Sequence, residues 1–227
     1  MAVSLDDLDT LATRVRPVAL PGEECLPVPA PLQSLLPHGA LRRGSTVTVH
    51  GSTALALALV AAASQEGSWC AAVGMPALGL VAAAEVGVAL ERVALVPEPG
   101  GQWATVAAAL LDAVDVVLVA APGRVRPGDA RRLAARARDR GAVLVPVTAW
   151  PEAADVRLGV ASSTWEGLGE GHGRLRARRM EVVAQGRGAA ARERRVSLWL
   201  PGADGRMAAV ADEAPAAVER PLSVVAG

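Results

Sequence analysis

Three arginines at alternate positions, Arg174, Arg176 and Arg178, are the side chains whose type and spacing most directly suggest chemistry. Alternation places them on one face of a strand, a row of guanidiniums suited to phosphate oxygens, with Arg179, Arg194 and Arg195 nearby in sequence. A solvated strand edge is the competing account of the same residues. Cys25 and Cys70 are too few for a disulfide framework, and neither is spaced with His38, His50 or His172 as metal ligands are, so no structural zinc site is expected. His172 sits between glycines and reads as a turn residue. There is no G-x-S-x-G elbow, and the serines lack a His/Asp context for nucleophilic catalysis. All 23 basic residues are arginine. Lys, Asn, Ile, Phe and Tyr are absent together; these five share A/T-rich codons, so a GC-rich genome accounts for the bias. The chemical consequence stands regardless: no mechanism that needs a lysine is available.

The 227 residues, 52% of them hydrophobic, are enough for one domain with a substantial core and short flanks. No apolar run approaches the roughly 20 residues that span a bilayer. The N-terminus, MAVSLDDLDT, is acidic where a signal peptide would be basic. A cytoplasmic protein without a membrane partner is expected. Charge balances at 23 against 23 but is unevenly placed: residues 124–140 hold seven arginines against two acids, and residues 171–195 hold eight against two.

The elements that must position these groups alternate. Ser4 caps an amphipathic helix carrying Leu5, Leu8, Leu11 and Val15, and a proline-rich connector follows, so residues 1–34 form an N-terminal flank. Strands are expected at Ser45–His50, Trp69–Val73, Val93–Val96, Val116–Ala120 and Val143–Val147, with helices near 54–64, 80–86, 103–111 and 129–140 between them. Fully apolar strands separated by helices imply a parallel sheet covered on both faces. After Trp150 the pattern changes to short strands near 156–160, 175–184 and 195–200, joined by glycine-rich turns such as Gly167–Gly173. These suggest antiparallel strands added at one sheet edge. Residues 203–227 read as a flexible tail.

This order of elements and several local sequences resemble the RecA family. LLPHGALRRGSTVTVHGS is similar to the approach to the phosphate loop, GSWCAAVGMPA to the second core strand, and GVALERVALVPEPGGQWATVAAALLDAVDVVLVAAP to the run into the Walker B strand. RLRARRMEVVAQGRGAAARERRVSLWLPG is similar to the closing strands. The resemblance covers residues 35–202 and implies a RecA-like α/β core, mainly parallel, with helices on both faces and antiparallel strands at the C-terminal edge.

The departures from that family concern its chemistry. A phosphate loop needs glycines for backbone approach, a lysine for the β- and γ-phosphates and a hydroxyl for magnesium. Counted from Gly51, those positions hold Ala56, Leu57 and Ala58, while Ser52 and Thr53 become turn and capping residues. The Walker B aspartate position falls on Ala120, and the catalytic glutamate position on Pro76. Arginine is a poor substitute for the missing lysine, because its planar fork does not fit where a compact ammonium inserts among backbone amides. The expectation is a chain that is not an ATPase and has no cofactor. The segments 120–129 and 148–155, where recombinases carry DNA-gripping loops, are only a few residues long, so DNA contact falls to Arg174, Arg176, Arg178, Arg179, Arg194 and Arg195.

Within the wider family the chain is most like the actinobacterial ImuA-type accessory proteins. That resemblance implies a non-catalytic adaptor in damage-induced translesion synthesis, recruited to the nucleoid, with an ImuB-like Y-family polymerase relative as partner. It leaves RecA and DNA as further partners, with Leu222, Val224 and Val225 of the tail as a docking segment. Alternatives are a regulator of RecA filaments, a nucleotide-dependent ATPase with a degenerate loop, and a cell-division inhibitor.

Overall fold

The computed structural model describes residues 25–168 and 173–210. The helix expected after Ser4, His172 and the tail residues Leu222, Val224 and Val225 lie outside them.

A short antiparallel ribbon comes first, β1 (Cys25–Pro27) paired with β2 (Ala40–Arg42), with the one-turn helix α1 (Ala30–Gln33) between. Then β3 (Val47–His50), α2 (Thr53–Gln65), β4 (Cys70–Val73), α3 (Leu80–Val86), β5 (Val93–Val96), α4 (Trp103–Ala113), β6 (Val116–Val119), α5 (Pro127–Arg140) and β7 (Val143–Pro146) alternate strictly. Strands β5, β4, β6 and β7 lie side by side in that order, all parallel. A parallel bridge from Thr46 to Leu144 brings β3 alongside β7. Beyond β3 the sheet continues through β8 (Val156–Leu168), parallel to it, and then antiparallel through β9 (Gly173–Gly186), β10 (Arg194–Trp199) and β11 (Ala208–Ala209).

The parallel strands are apolar throughout because both their faces are buried. Alternate residues of β6 show it: Val116 and Leu118 pack on one side with α2, while Val117 and Val119 pack on the other with α4 and α5. Helix α2 is buried from Leu55 to Ala61, which explains why TALALALVAAAS has no polar face: the helix runs through the interior. Helix α5 is the opposite case. It buries Ala130, Leu133 and Ala137 and turns its arginines outward, and Gly141, at φ 68°, closes it in the left-handed conformation.

At the N-terminal edge of the sheet, Asp115 is fully buried and holds four segments together. Its carboxylate accepts from Arg43 Nη1 at 2.8 Å and from the Trp69 backbone N–H at 2.9 Å. Its own carbonyl accepts from Val143 N–H at 2.7 Å. One ion pair thus links the lead-in to β3 with the starts of β4, β6 and β7. Beside it, burial and the Asp115 charge push the Cys70 thiol up to about 12, making it an inert packing residue.

Two expectations about the antiparallel part need correction. Strand β8 does not stop near Val160 but runs on to Leu168, so Gly167 belongs to an irregularity within the strand rather than to a turn. Only glycine suits that position: its φ is 106°, and a Cβ there would lie 2.2 Å from the Arg174 carbonyl oxygen across the ribbon. The part of the expected tail from 203 to 210 is also attached to the fold, since Ala208–Ala209 pair with Leu198–Trp199 of β10.

Candidate functional site

The first region to place is the turn from β3 into α2, at the C-terminal edge of the parallel strands, where open α/β sheets bind ligands. Gly51 leaves the strand at φ 84° and Ser52 follows in an extended conformation. Ser52 then caps the helix, its Oγ accepting from Leu55 N–H at 3.2 Å. The helix begins at Thr53, so only Gly51 and Ser52 separate strand from helix. Ala56, Leu57 and Ala58 therefore lie within α2, at 0%, 6% and 0% exposure. The Ala56 N–H is already spent on the Ser52 carbonyl at 3.3 Å.

Neighbouring strand ends follow the same pattern. Ala120 comes directly after β6, half-buried, its N–H donating to the Val73 carbonyl at 2.9 Å. Pro76 sits exposed in the turn after β4. Three positions where the resemblance anticipates a lysine, an aspartate and a glutamate are thus a buried leucine in a helix, a backbone-bonded alanine and a turn proline. A cavity of about 430 Å³ lies at the other edge, near the starts of β3 and β8, lined by His38, Arg42, Asp155 and Arg187 among others.

The second region is the ribbon formed by the distal halves of β8 and β9. An irregularity between Val160 and Ser162 reverses the alternation of β8, so Trp165 stands directly opposite Arg178. Without that extra residue Trp165 would fall on the other face. Met180, Val182 and Ala184 on this face of β9 are buried in the core; beyond them Arg178 is half-buried, and Arg176 and Arg174, at the next alternate positions, are exposed. The Arg178 guanidinium carbon lies 5.8 Å from the centre of the Trp165 ring, a cation–π contact. Trp165 remains 42% exposed. Partial burial pulls the Arg178 guanidinium below its usual range, and its Nε has no hydrogen-bond partner among the described residues.

The six candidate arginines do not form one patch. Arg179 points to the opposite face, its register partner being Trp199. Arg194 lies at the far end of β10, opposite Ala184, where its Nη2 donates to the Ala189 carbonyl at 2.9 Å. Arg195 is held by Glu181 at 3.0 Å and by Glu193 at 2.7 Å. These hydrogen bonds, Glu181 first, raise its pKa further. Arg174, Arg176 and Arg178 alone of the six cluster at alternate positions on the distal half of β9, since Arg194 lies at the far end of the sheet and Arg179 and Arg195 are on the other face. The arginine-rich helix α5 is partly engaged too: Arg136 and Arg140 both grip Asp112 of α4, Arg140 Nε at 3.0 Å.

Nothing in the sequence around Trp165 singles it out as a site residue. The signal that could have found it is the length of ribbon needed to reach Gly173, together with one extra residue that puts the ring in phase with the arginines.

This strand order, with α2 buried against the central strands and an antiparallel extension past β3, is a RecA-like core. The crystal structure of the RadB recombinase superposes with a TM-score of 0.55 at 15% identity, covering 80% of this chain and 97% of that one. The sequence model of the MT3502 N-terminal domain family matches residues 34–152, and the chain belongs to that family. A relative in Mycobacterium tuberculosis (strain ATCC 25618 / H37Rv), the uncharacterized protein Rv3395c, is 38% identical over 133 residues. That match covers 57% of this chain and 65% of the relative's length.

Proposed function

We propose that the chain is a non-catalytic RecA-like adaptor that helps assemble a DNA-damage-induced translesion synthesis complex. The observation that carries the non-catalytic part is the turn at Gly51–Ser52. A phosphate loop works by leaving several backbone N–H groups unspent around an anion and placing an ammonium beside it. Here the helix starts at Thr53, the Leu55 and Ala56 N–H groups are bonded to Ser52, the lysine position is a buried leucine, and the chain contains no lysine.

A fold that has given up this chemistry retains its surface. The ImuA-type resemblance supplies the setting: the partner is an ImuB-like Y-family polymerase relative, RecA is a second candidate, and both meet the protein at damaged DNA in the cytoplasm. Leu222, Val224 and Val225, near the C-terminus, are the candidate docking residues for the polymerase-like partner.

The test is affinity co-purification of the tagged chain from its own host after DNA damage, comparing full length with a version ending at Val210, which keeps β11. Recovery of a polymerase-like protein only with full length is the expected result. Recovery of RecA in the absence of any polymerase-related protein would replace the adaptor by a filament regulator.

A further inference from the structure

We infer that the distal β8–β9 ribbon is a binding site for single-stranded nucleic acid, with Trp165 and Arg178 as the stacking platform for a base and Arg174 and Arg176 as the phosphate contacts. Binding at this ribbon requires no polymerase-like partner, so its outcome is separate from that of the co-purification.

Three features of the ribbon lead to this. The first is spacing. Side chains at every second residue of a strand recur at about 6.7 Å, a distance comparable to one nucleotide of an extended single strand. Arg174, Arg176 and Arg178 occupy alternate positions of β9 and so offer guanidiniums at about that spacing, with residues 174–176 standing opposite the irregularity at Gly167. The second is the ring. An exposed tryptophan with a guanidinium against it offers a flat, cationic surface on which any base can stack, which is how single strands are held without regard to sequence. The third is the distribution of acids. Glu166 lies on the opposite face, opposite Ala177, and Glu181 is engaged by Arg195. Among the described residues no carboxylate shares the Arg174–Arg178 face of the ribbon.

The geometry favours a single strand over a duplex. In a duplex the bases are stacked on one another, so Trp165 would gain nothing without unstacking them, whereas an extended strand can lay a base on the ring and its flanking phosphates on the arginines. An acidic protein surface would meet the arginines but leave the ring without a role.

The experiment is fluorescence anisotropy of a labelled oligothymidylate with the full-length chain at low salt. Three variants are compared: Trp165→Ala, the double Arg174→Ala/Arg176→Ala, and Arg131→Ala on α5 as a control. The wild-type chain and the control bind alike. Trp165→Ala weakens binding about tenfold. The double variant weakens it at least as much and lowers the slope of log affinity against log salt by about 1.4, roughly 0.7 for each lost phosphate contact. Thermal melts of the arm variants match wild type; should Trp165→Ala melt early, Trp165→Phe, which keeps a ring, binds with intermediate affinity. Failure of the wild-type chain to bind oligothymidylate overturns the assignment. So does wild-type affinity in either arm variant, or a duplex of equal length that competes as well as the single strand.

Discussion

The two halves of this sheet treat polar groups in opposite ways. Around β3 to β7 the chain closes its C-terminal edge with backbone and small side chains: a helix fills the turn after Gly51, and Ala120 bonds back to β4. The most deeply buried ion pair among the described residues, Arg43 with Asp115, lies at the other edge, where it holds strands together. From β8 onward the chain leaves its distal ribbon bare and sets arginines and a tryptophan on it. The family match at residues 34–152 covers the first half and stops short of the ribbon. That half keeps the layered packing of a RecA-like core, with β6 buried between α2 on one side and α4 and α5 on the other.

The sharpest way to break that contrast is to restore the missing lysine. Leu57→Lys puts an ammonium inside α2, in an apolar cluster of the core. It should cost about 4 kcal/mol in urea unfolding without conferring ATP binding. A stable variant that binds ATP would mean the turn can open. Next in size is Asp115→Ala, which strands Arg43 and the Trp69 N–H without a partner; a loss of about 3 kcal/mol is expected from the same measurement. Charge removal on the exposed ribbon should do nothing comparable.

Cys70 offers a pH test of the closed half. Its folded pKa of about 12 lies above the ordinary thiol value of 9.0, so the folded state favours the neutral thiol. Its contribution is complete below 9 and is lost as pH rises towards 12, so Cys70→Ala should flatten part of the alkaline fall in stability. At neutral pH, alkylating reagents should label Cys70 only after unfolding. Smaller still is Asp112→Ala, which frees Arg136 and Arg140 between α4 and α5. Those groups are part-exposed, and the loss should be about 0.5–1 kcal/mol by thermal or urea unfolding. Smallest is Trp165→Ala, expected within about 0.5 kcal/mol of wild type because the residue is 42% exposed on the ribbon, outside the core.

How far each half could be read from its sequence follows from how it is built. In the closed half, burial on both faces forces apolar strands, and helix and strand alternate at lengths that hydrophobic periodicity resolves: Leu80–Val86 and Val93–Val96 fall at the residues expected. The ribbon has no core to imprint a pattern. ASSTWEG carries no alternation, the irregularity after Val160 reverses the phase, and so β8 reads as ending eight residues before it does. The register counted from Gly51 falls on Ala56, Leu57 and Ala58, inside the helix that the Ala/Leu run from residue 54 leads one to expect. The Ala/Leu run from Thr53 is a strong helix former, and Ser52 is a good cap, so local propensity determines the outcome. Proximity in sequence groups Arg194 and Arg195 with the ribbon arginines and does not reveal that Glu181 and Glu193 hold Arg195.

We propose that the turn after β3 is closed to nucleotides. The most direct test is thermal unfolding of the wild-type chain with and without saturating Mg-ATP. A ligand that binds only the folded state at a hundred times its Kd adds about 2.7 kcal/mol, enough to move the transition by several degrees. Superimposable curves are predicted. A saturable upward shift with ATP, absent with an equal concentration of inorganic phosphate, would contradict the account.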